Sequence, residues 1–170
     1  GLASAPVDGI MPAVSLEVPV IAPSTNLSEP AVVITGLDPT LMTGFDQLQE
    51  VDSQGELDIA ALGPREAYLS AKVAAAVDVS AGDILQLFFG AIPTTIELKG
   101  IYSDAGNASG QDSAIMQLTA LQDLAGQADK INRVFISNNG DLVSGAVHTD
   151  TVMEKLELLL EDSLLAADAT

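Results

Sequence analysis

Residues 65–87, REAYLSAKVAAAVDVSAGDILQL, decide the fold. Within them, Ala67–Leu69 predicts a strand and Ala71–Val77 predicts a short alanine-rich helix, since alanine is the strongest helix former. The Gly82-Asp83 pair predicts a turn, because glycine supplies a positive φ and an aspartate side chain bonds to nearby backbone. Such a turn belongs to the architecture and not to catalysis. The stretch therefore predicts a strand, a helix, a turn and the start of another strand.

Downstream of this stretch, the sequence predicts a hairpin and a strand–helix pair. Ile84–Phe89 and Thr94–Tyr102 are rich in β-forming residues and are joined through Gly90 and Pro93, which favours a β-hairpin. A loop rich in Gly, Asn, Ser and Asp follows at 103–112. The remaining predictions are a strand at Ala114–Leu118, a helix at Leu118–Ala125 and a strand at Lys130–Ile136.

The last predicted element is a helix from Asp150 to Asp168. Thr151 and Glu154 have the spacing of a capping box. Apolar side chains recur at helical spacing along one side, at Val152, Met153, Leu156, Leu159, Leu160 and Leu164. The pattern predicts a long amphipathic helix near the end of the chain.

Upstream of residue 65, prolines and short apolar runs predict extended structure. Ala13–Ile21 alternates apolar and polar residues as strands do, and Pro19 within it suggests an edge strand. Ala31–Ile34 predicts a second, short strand. Leu41–Glu50 predicts a short helix. Because short strands and few helices are mixed along the chain, we expect an α+β fold and not a repeated βαβ arrangement.

Composition bounds the function. The 170 residues are 48% hydrophobic but only 4% aromatic, so we expect a core of Leu, Val, Ile and Ala. Six Lys and Arg against 24 Asp and Glu give a formal net charge of −18, which repels nucleic acid and anionic lipid headgroups. An acidic surface also suits a halophilic source. The chain has no cysteine, and no apolar run is long enough to cross a bilayer.

Residues that suggest chemistry are few. His148 is the single histidine, and it precedes the predicted terminal helix, where a polar residue is ordinary. A hydrolase using His148 or paired carboxylates is one alternative, although no GxSxG motif is present. Asp104, Asn107 and Asp112 lie on the glycine-rich loop without the spacing of an EF-hand, so a surface loop is the better interpretation.

Binding motifs are also scarce. The glycines are scattered, and neither GxGxxG nor GxxxxGK[ST] occurs, so any ATP that this protein depends on binds another chain. Asn26-Leu27-Ser28 and Asn107-Ala108-Ser109 match the glycosylation sequon, a pattern too short to be informative.

The ordered series of these segments resembles the extracytoplasmic (periplasmic core) domain of MacB/FtsX-like ABC transporter permeases, over about residues 31–165. In that family, a strand, a short helix, a turn, Gly-Asp and another strand follow one another, as they do here through residues 65–87. The later parts of the resemblance are IELKGI at Ile96–Ile101, the Leu121-Gln122 pair and INRVFI at Ile131–Ile136. The sequence departs from the family in its strong acidity and in lacking an evident first helix before Ala13.

The resemblance implies a two-lobed α+β ectodomain with short mixed or antiparallel strands and a long C-terminal helix. Residues 1–55 plus 128–170 would form a porter-like lobe, and residues 56–127 a smaller, inserted, β-rich sabre-like lobe. The domain would lie on the extracytoplasmic face of the cell membrane as part of a multi-pass protein. Its partners would be a cytoplasmic ATPase reached through membrane helices, a second permease protomer, and a hydrophobic cargo or extracytoplasmic partner protein.

The family has no catalytic, cofactor-binding or metal-binding residues in this domain, so the resemblance implies a non-enzymatic module. This module would couple ATP hydrolysis to export, to lipoprotein or lipid handling, or to activation of a partner. Two other classes stay open from sequence: a stand-alone secreted or surface-anchored binding domain, and the hydrolase mentioned above.

Overall fold

The structure is a computed structural model that describes residues 7–42, 45, 47–53, 55–103 and 113–138. Strands dominate this part of the chain, with two α-helices among them, so the expected mixture of helix and strand is present. The strands are β1 Val7–Ala22, β2 Leu27–Leu37, β3 Leu48–Gln49, β4 Glu56–Leu57, β5 Glu66–Ser70, β6 Ile84–Leu87, β7 Thr94–Tyr102, β8 Ser113–Gln117 and β9 Arg133–Asn138. The helices are α1 Ala71–Val77 and α2 Leu118–Leu124, and short 3-10 turns lie at Pro39–Leu41 and Ile59–Ala61.

Six strands form a closed ring. The order β2-β8-β5-β7-β6-β1 returns to its start because β1 also pairs with β2, and β9 lies beside β1. The β2–β8 and β5–β7 pairs are parallel, and the other pairs in the ring are antiparallel. Closing a sheet on itself leaves these six strands without a free edge within the ring. The predicted mixed pairing is therefore present.

The β1–β2 hairpin corrects one prediction. Pro19 does not mark an edge strand, since β1 pairs with β2 on one side and with β6 on the other. Instead, the register between these strands shifts between Val18 and Val20, where a single residue of β1 opposes Pro30 and Ala31 of β2. Both prolines thus lie at a bulge, where the ladder is interrupted and a missing amide hydrogen costs little.

The segment that decides the fold has the predicted structure. β5 covers the predicted strand, α1 has the predicted bounds Ala71–Val77, and β6 and β7 form the predicted hairpin, with Leu87 opposite Thr94. Strand β8 and helix α2 also follow one another where the sequence predicts them.

The predicted helix at Leu41–Glu50 is wrong for the described residues of that segment. A 3-10 turn ends at Leu41, and Leu48–Gln49 is strand β3, paired with β4. Contacts from distant parts of the chain hold this segment extended. The Ser103 amide donates to the Gln49 carbonyl at 2.8 Å, and the Val51 amide donates to the Ile101 carbonyl at 3.0 Å.

Buried apolar side chains from the six ring strands and both helices form one cluster. It consists of Val, Leu, Ile, Ala and Met116, as the composition predicts. In β6 and β7, alternate residues point inward: Leu85, Leu87, Ile96 and Leu98 are buried, while their neighbours face outward. The core therefore fixes which side chains of these strands reach the surface.

By proximity, the chain divides into two compact units, one of residues 1–10, 43–45 and 135–170, the other of residues 11–42 and 46–134. The ring and both helices belong to the second unit, apart from the first residues of β1. The division into lobes at 55/56 and 127/128 stays a prediction. The predicted helix from Asp150 to Asp168 lies outside the described residues.

Candidate functional site

The Gly82-Asp83 turn lies between α1 and β6, and its backbone is hydrogen bonded to β7. The Asp83 carboxylate accepts a hydrogen bond from the Ser80 amide at 2.8 Å. The Gly82 amide donates to the Leu98 carbonyl at 2.7 Å, and the Leu98 amide donates to the Asp83 carbonyl at 2.9 Å. Gly82 has φ +95°, a conformation that glycine adopts without strain. The predicted turn is confirmed, and its polar contacts position the start of β6.

The strand that this turn positions contributes to an uncharged outer surface. Ile21 of β1 pairs with Gln86 of β6, and Gln86 pairs with Thr95 of β7, so these three side chains lie in one row on one side of the sheet. Ile84 lies two residues before Gln86 on the same side and is 44% exposed. We call these four residues, together with Ile92 in the turn after β6, the neutral face.

Ile92 is the most exposed large apolar side chain of the described residues, at 83%. It lies in the turn between β6 and β7. This turn is held at its base, since Phe89 packs against the core cluster and the Phe88 amide donates to the Pro19 carbonyl at 3.2 Å. The exposed isoleucine is therefore presented by a hairpin that is anchored on the ring.

A charged trio lies next to the neutral face on β5 and β7. The Lys99 ammonium is 3.4 Å from the Glu66 carboxylate and 3.2 Å from the Glu97 carboxylate. The pKa of Glu66 is lowered from its ordinary value, first by a hydrogen bond from the Gly63 amide at 2.7 Å and then by Lys99. The pKa of Lys99 is raised, chiefly by its hydrogen bonds to Glu97 and Glu66. The trio thus ties two parallel strands together at the surface.

Hydroxyl groups inside the fold bond to one another. Tyr102 Oη and Ser113 Oγ are hydrogen bonded, and Ser70 Oγ accepts from the amides of Ser113 and Val73, each at 3.4 Å. Ser70 and Tyr102 have no exposed surface. Tyr68 Oη donates to a main-chain carbonyl at 2.9 Å, and burial raises the pKa of this phenol. These groups serve the packing of β5, β7 and β8.

Several residues that the sequence singled out lie outside the described part of the chain. They are His148 and the loop residues Asp104, Asn107 and Asp112. Within the described ranges, no group of three or more His, Asp or Glu side chains is placed to hold a metal ion. Asn26, in the first sequon, is exposed at the β1–β2 turn with φ +58°.

Sequence reasoning missed the neutral face, although a signal for it exists. Residues 84–96 and 18–28 contain no Asp, Glu, Lys or Arg, in a chain with 30 such residues (24 + 6) among 170. The two uncharged runs become neighbours only through the pairing of β1 with β6. To predict that the two runs share one surface, the strand order must be known, and the sequence does not show it.

For the part of the chain that the structure describes, no helix has both the length and the apolar character that crossing a bilayer requires.

Comparison with known proteins gives matches at the level of structure. No protein-family model matches the chain, and no curated protein sequence does. The extracellular domain of the ABC-type transporter YknZ from Gram-positive bacteria is similar over 82% of this chain and 70% of its own, with 14% identity and a TM-score of 0.57. The periplasmic region of MacB from Actinobacillus actinomycetemcomitans is similar over 96% of this chain and 70% of its own, with 14% identity and a TM-score of 0.59.

A third solved structure agrees with these two. A domain of a protein assigned as a permease from Porphyromonas gingivalis matches 81% of this chain and 58% of its own length, with 13% identity and a TM-score of 0.52. At such identities the likeness shows the fold. The resemblance to MacB-like extracytoplasmic domains that the sequence predicts is therefore confirmed for the fold.

Proposed function

We propose that this chain is the extracytoplasmic domain of an ABC transporter permease subunit. The observation that carries the proposal is the shared fold with three solved domains, two of which are the extracellular or periplasmic regions of the transporters YknZ and MacB. The sequence supports it independently, since the order of segments through residues 65–87 resembles the same class of domain. In this role the domain lies outside the cell membrane and belongs to a multi-pass protein.

The domain couples ATP hydrolysis on a separate cytoplasmic ATPase chain to work outside the membrane. That work is export, the handling of lipoproteins or lipids, or the activation of a partner. The closed ring supports this role because its six strands pair all the way round and share one buried core, so that the ring can move as a unit. A second permease protomer, joined through membrane helices, completes the transporter.

We also propose that the domain catalyses no reaction itself. The buried hydroxyls of Ser70, Tyr102 and Ser113 bond within the fold, which supports a structural role for them. The Gly82-Asp83 turn likewise bonds to backbone groups. Function then rests on surfaces that contact other molecules.

Reading the parent gene on both sides of residues 1–170 tests the proposal. We expect apolar spans of about 20 residues on each side, with further spans beyond them. We also expect the full-length membrane protein, purified in detergent, to bring down a chain with a GxxxxGK[ST] motif. A stop codon directly after Thr170 together with a simple signal peptide before Gly1 would refute the proposal and favour a secreted or surface-anchored binding domain.

A further inference from the structure

The neutral face combines two features that a surface exposed only to water does not need. It contains apolar side chains that are open to solvent, Ile92 at 83% and Ile84 at 44%. It also contains no charged residue, although the chain has a net charge of −18 and one charged residue in about six positions. Ile84 begins the first strand of the β6–β7 hairpin and Ile92 lies in its turn, and exposed apolar groups on one hairpin that is otherwise uncharged from residue 84 to residue 96 indicate a contact with another molecule.

The packing beneath the face makes it a preformed surface. Leu85 and Leu87, the inward neighbours of the exposed residues on β6, are fully buried. The Gly82-Asp83 turn fixes the start of the strand through Leu98. Strand β6 is paired with a neighbouring strand on each side, so its backbone is already ordered. A partner that docks on β6 therefore loses little free energy to ordering the backbone.

Charges surround the face unequally. Glu17 on β1 is exposed, Asp83 precedes Ile84, and Glu97 lies directly opposite Ile84. On the β5–β7 side, Lys99 is paired with Glu97, and the Arg65 guanidinium donates to the Thr95 carbonyl at 3.5 Å. The surroundings of the face are therefore acidic on balance, in keeping with the charge of the whole chain.

This charge pattern selects among possible occupants. A second copy of the chain also carries −18, so two copies repel each other at long range. Anionic lipid surfaces are repelled for the same reason. A protein of positive charge is attracted, and its association is accelerated by the field of the acidic domain.

We propose that the neutral face is a docking site for a partner protein whose contact surface is apolar at its centre and basic around it. The proposal deepens the proposed function, since it gives the chemistry of the extracytoplasmic partner. Ile92 and Ile84 enter the apolar centre of that partner. Glu17, Asp83 and Glu97 face its Lys and Arg side chains.

A peptide-binding experiment tests the proposal on the chain itself. The probe is a fluorescein-labelled heptapeptide of alternating leucine and lysine, and the reference probe replaces every leucine with serine. Binding is measured by fluorescence anisotropy with the wild-type chain and with the double variant Ile84→Ser/Ile92→Ser. The control is Val51→Ser/Ile131→Ser, which removes two other exposed apolar side chains, 45% and 51% exposed, that are not part of the neutral face. Circular dichroism confirms that each variant is folded.

We expect the leucine–lysine peptide to bind the face variant at least tenfold more weakly than the wild type, and the control variant within twofold of it. The serine–lysine peptide should bind all three chains alike, since it senses only their charge. Raising the salt concentration from 50 to 500 mM should weaken both probes.

Three results would overturn the proposal. The first is equal binding of the leucine–lysine peptide to both double variants. The second is binding to phosphatidylcholine vesicles that depends on Ile92, which would assign the face to lipid. The third is self-association of the wild type in sedimentation that the face variant loses, which would assign it to a second copy. If the parent gene lacks membrane spans while the peptide result holds, the proposed function fails and the docking site stands.

Discussion

Two strand–helix units of this fold have the same dimensions but are fixed in different ways. Strand β5 has five residues and runs directly into the seven-residue helix α1, and β8 and α2 repeat these lengths. Helix α1 begins with a local cap, since Ser70 Oγ accepts from the Val73 amide. Helix α2 begins at Gln117 with no side-chain cap, and this side chain instead contacts a distant segment.

The contacts of Gln117 show what replaces the cap. Its amide nitrogen lies 3.1, 3.2 and 2.8 Å from the carbonyl oxygens of Ile59, Ala60 and Leu62. The Gln117 side chain therefore bonds to the 3-10 turn Ile59–Ala61 and to Leu62 after it, more than 50 residues earlier in the chain. Helix α2 is also fixed by close packing on Gly36 of β2, where an added Cβ would lie 3.0 Å from the Leu118 Cα. The comparison teaches that the same geometry arises with a local helix cap in β5–α1 and without one, through tertiary contacts, in β8–α2.

The largest effect should come from the packing of α2. Leu121 is fully buried and lies over Gly36, so Leu121→Ala leaves a cavity that the closely packed backbone cannot fill. We expect a loss of about 2–5 kcal/mol in the free energy of unfolding, measured by urea denaturation. Thr119→Ala, at an exposed position of the same helix, is the control and should change the free energy by less than about 0.5 kcal/mol. A loss below 1 kcal/mol for Leu121→Ala would show that α2 is not fixed by packing.

The next effect should come from Gln117. Gln117→Ala leaves three carbonyl groups without this donor, and we expect it to cost about 1–3 kcal/mol in the same measurement. Gln117→Glu should cost more at pH 7, because a carboxylate would face the three carbonyl oxygens. Gln86→Ala, which removes the same side chain from the neutral face, is the control. If both alanine variants behave alike, the distant contacts of Gln117 contribute nothing specific.

The local cap of α1 should contribute less. Ser70→Ala removes the acceptor for the Val73 amide, and loss of such a cap costs about 1 kcal/mol; the Ser113 amide of β8, which donates to the same hydroxyl at 3.4 Å, loses this acceptor as well. Ser70→Thr keeps the hydroxyl and should recover at least half of that loss. Amide hydrogen exchange should quicken in the first turn of α1 and stay unchanged in α2. Equal quickening in both helices would contradict the distinction between the two units.

The same distinction explains which parts of the fold the sequence could predict. In β5–α1 the signals are local, so the bounds of α1 and the Gly82-Asp83 turn agree with prediction. The residues of Leu41–Glu50 permit a helix when taken by themselves, yet Leu48–Gln49 is extended because it pairs with β4 and because Gln49 accepts from the Ser103 amide. Contacts so far apart in the chain leave no mark in a short window of sequence.

The ring and the neutral face show the same limit. Pro19 suggested an edge, whereas the structure places it at a bulge inside a closed ring, since Pro30 and Ala31 of the opposite strand form the other half of that irregularity. For the neutral face, the uncharged run at 84–96 is visible in the sequence. Its pairing with Ile21 is not, because register between distant strands depends on the packed core.

The smallest expected effect concerns pH and distinguishes the two units once more. Glu66 begins β5, whereas β8 contains no ionisable residue. The pKa of Glu66 is lowered in the folded chain, first by the Gly63 amide and then by Lys99, so its contribution to stability is present above the unfolded pKa and is lost as the pH falls through the folded pKa. The difference in unfolding free energy between wild type and Glu66→Gln should therefore be larger at pH 6 than at pH 3.

Lys99→Gln separates the two causes of this effect. Because the hydrogen bond from Gly63 is the larger cause, most of the pH dependence attributable to Glu66 should persist when Lys99 is replaced. Urea denaturation of Lys99→Gln and of the double variant with Glu66→Gln, across pH 3–6, measures this. If the pH dependence disappears when Lys99 is replaced, the ion pair and not the local backbone contact lowers the pKa of Glu66. In that case β5 would depend on a distant strand as β8–α2 depends on its distant contacts, and the contrast between the two units would be confined to the caps of their helices.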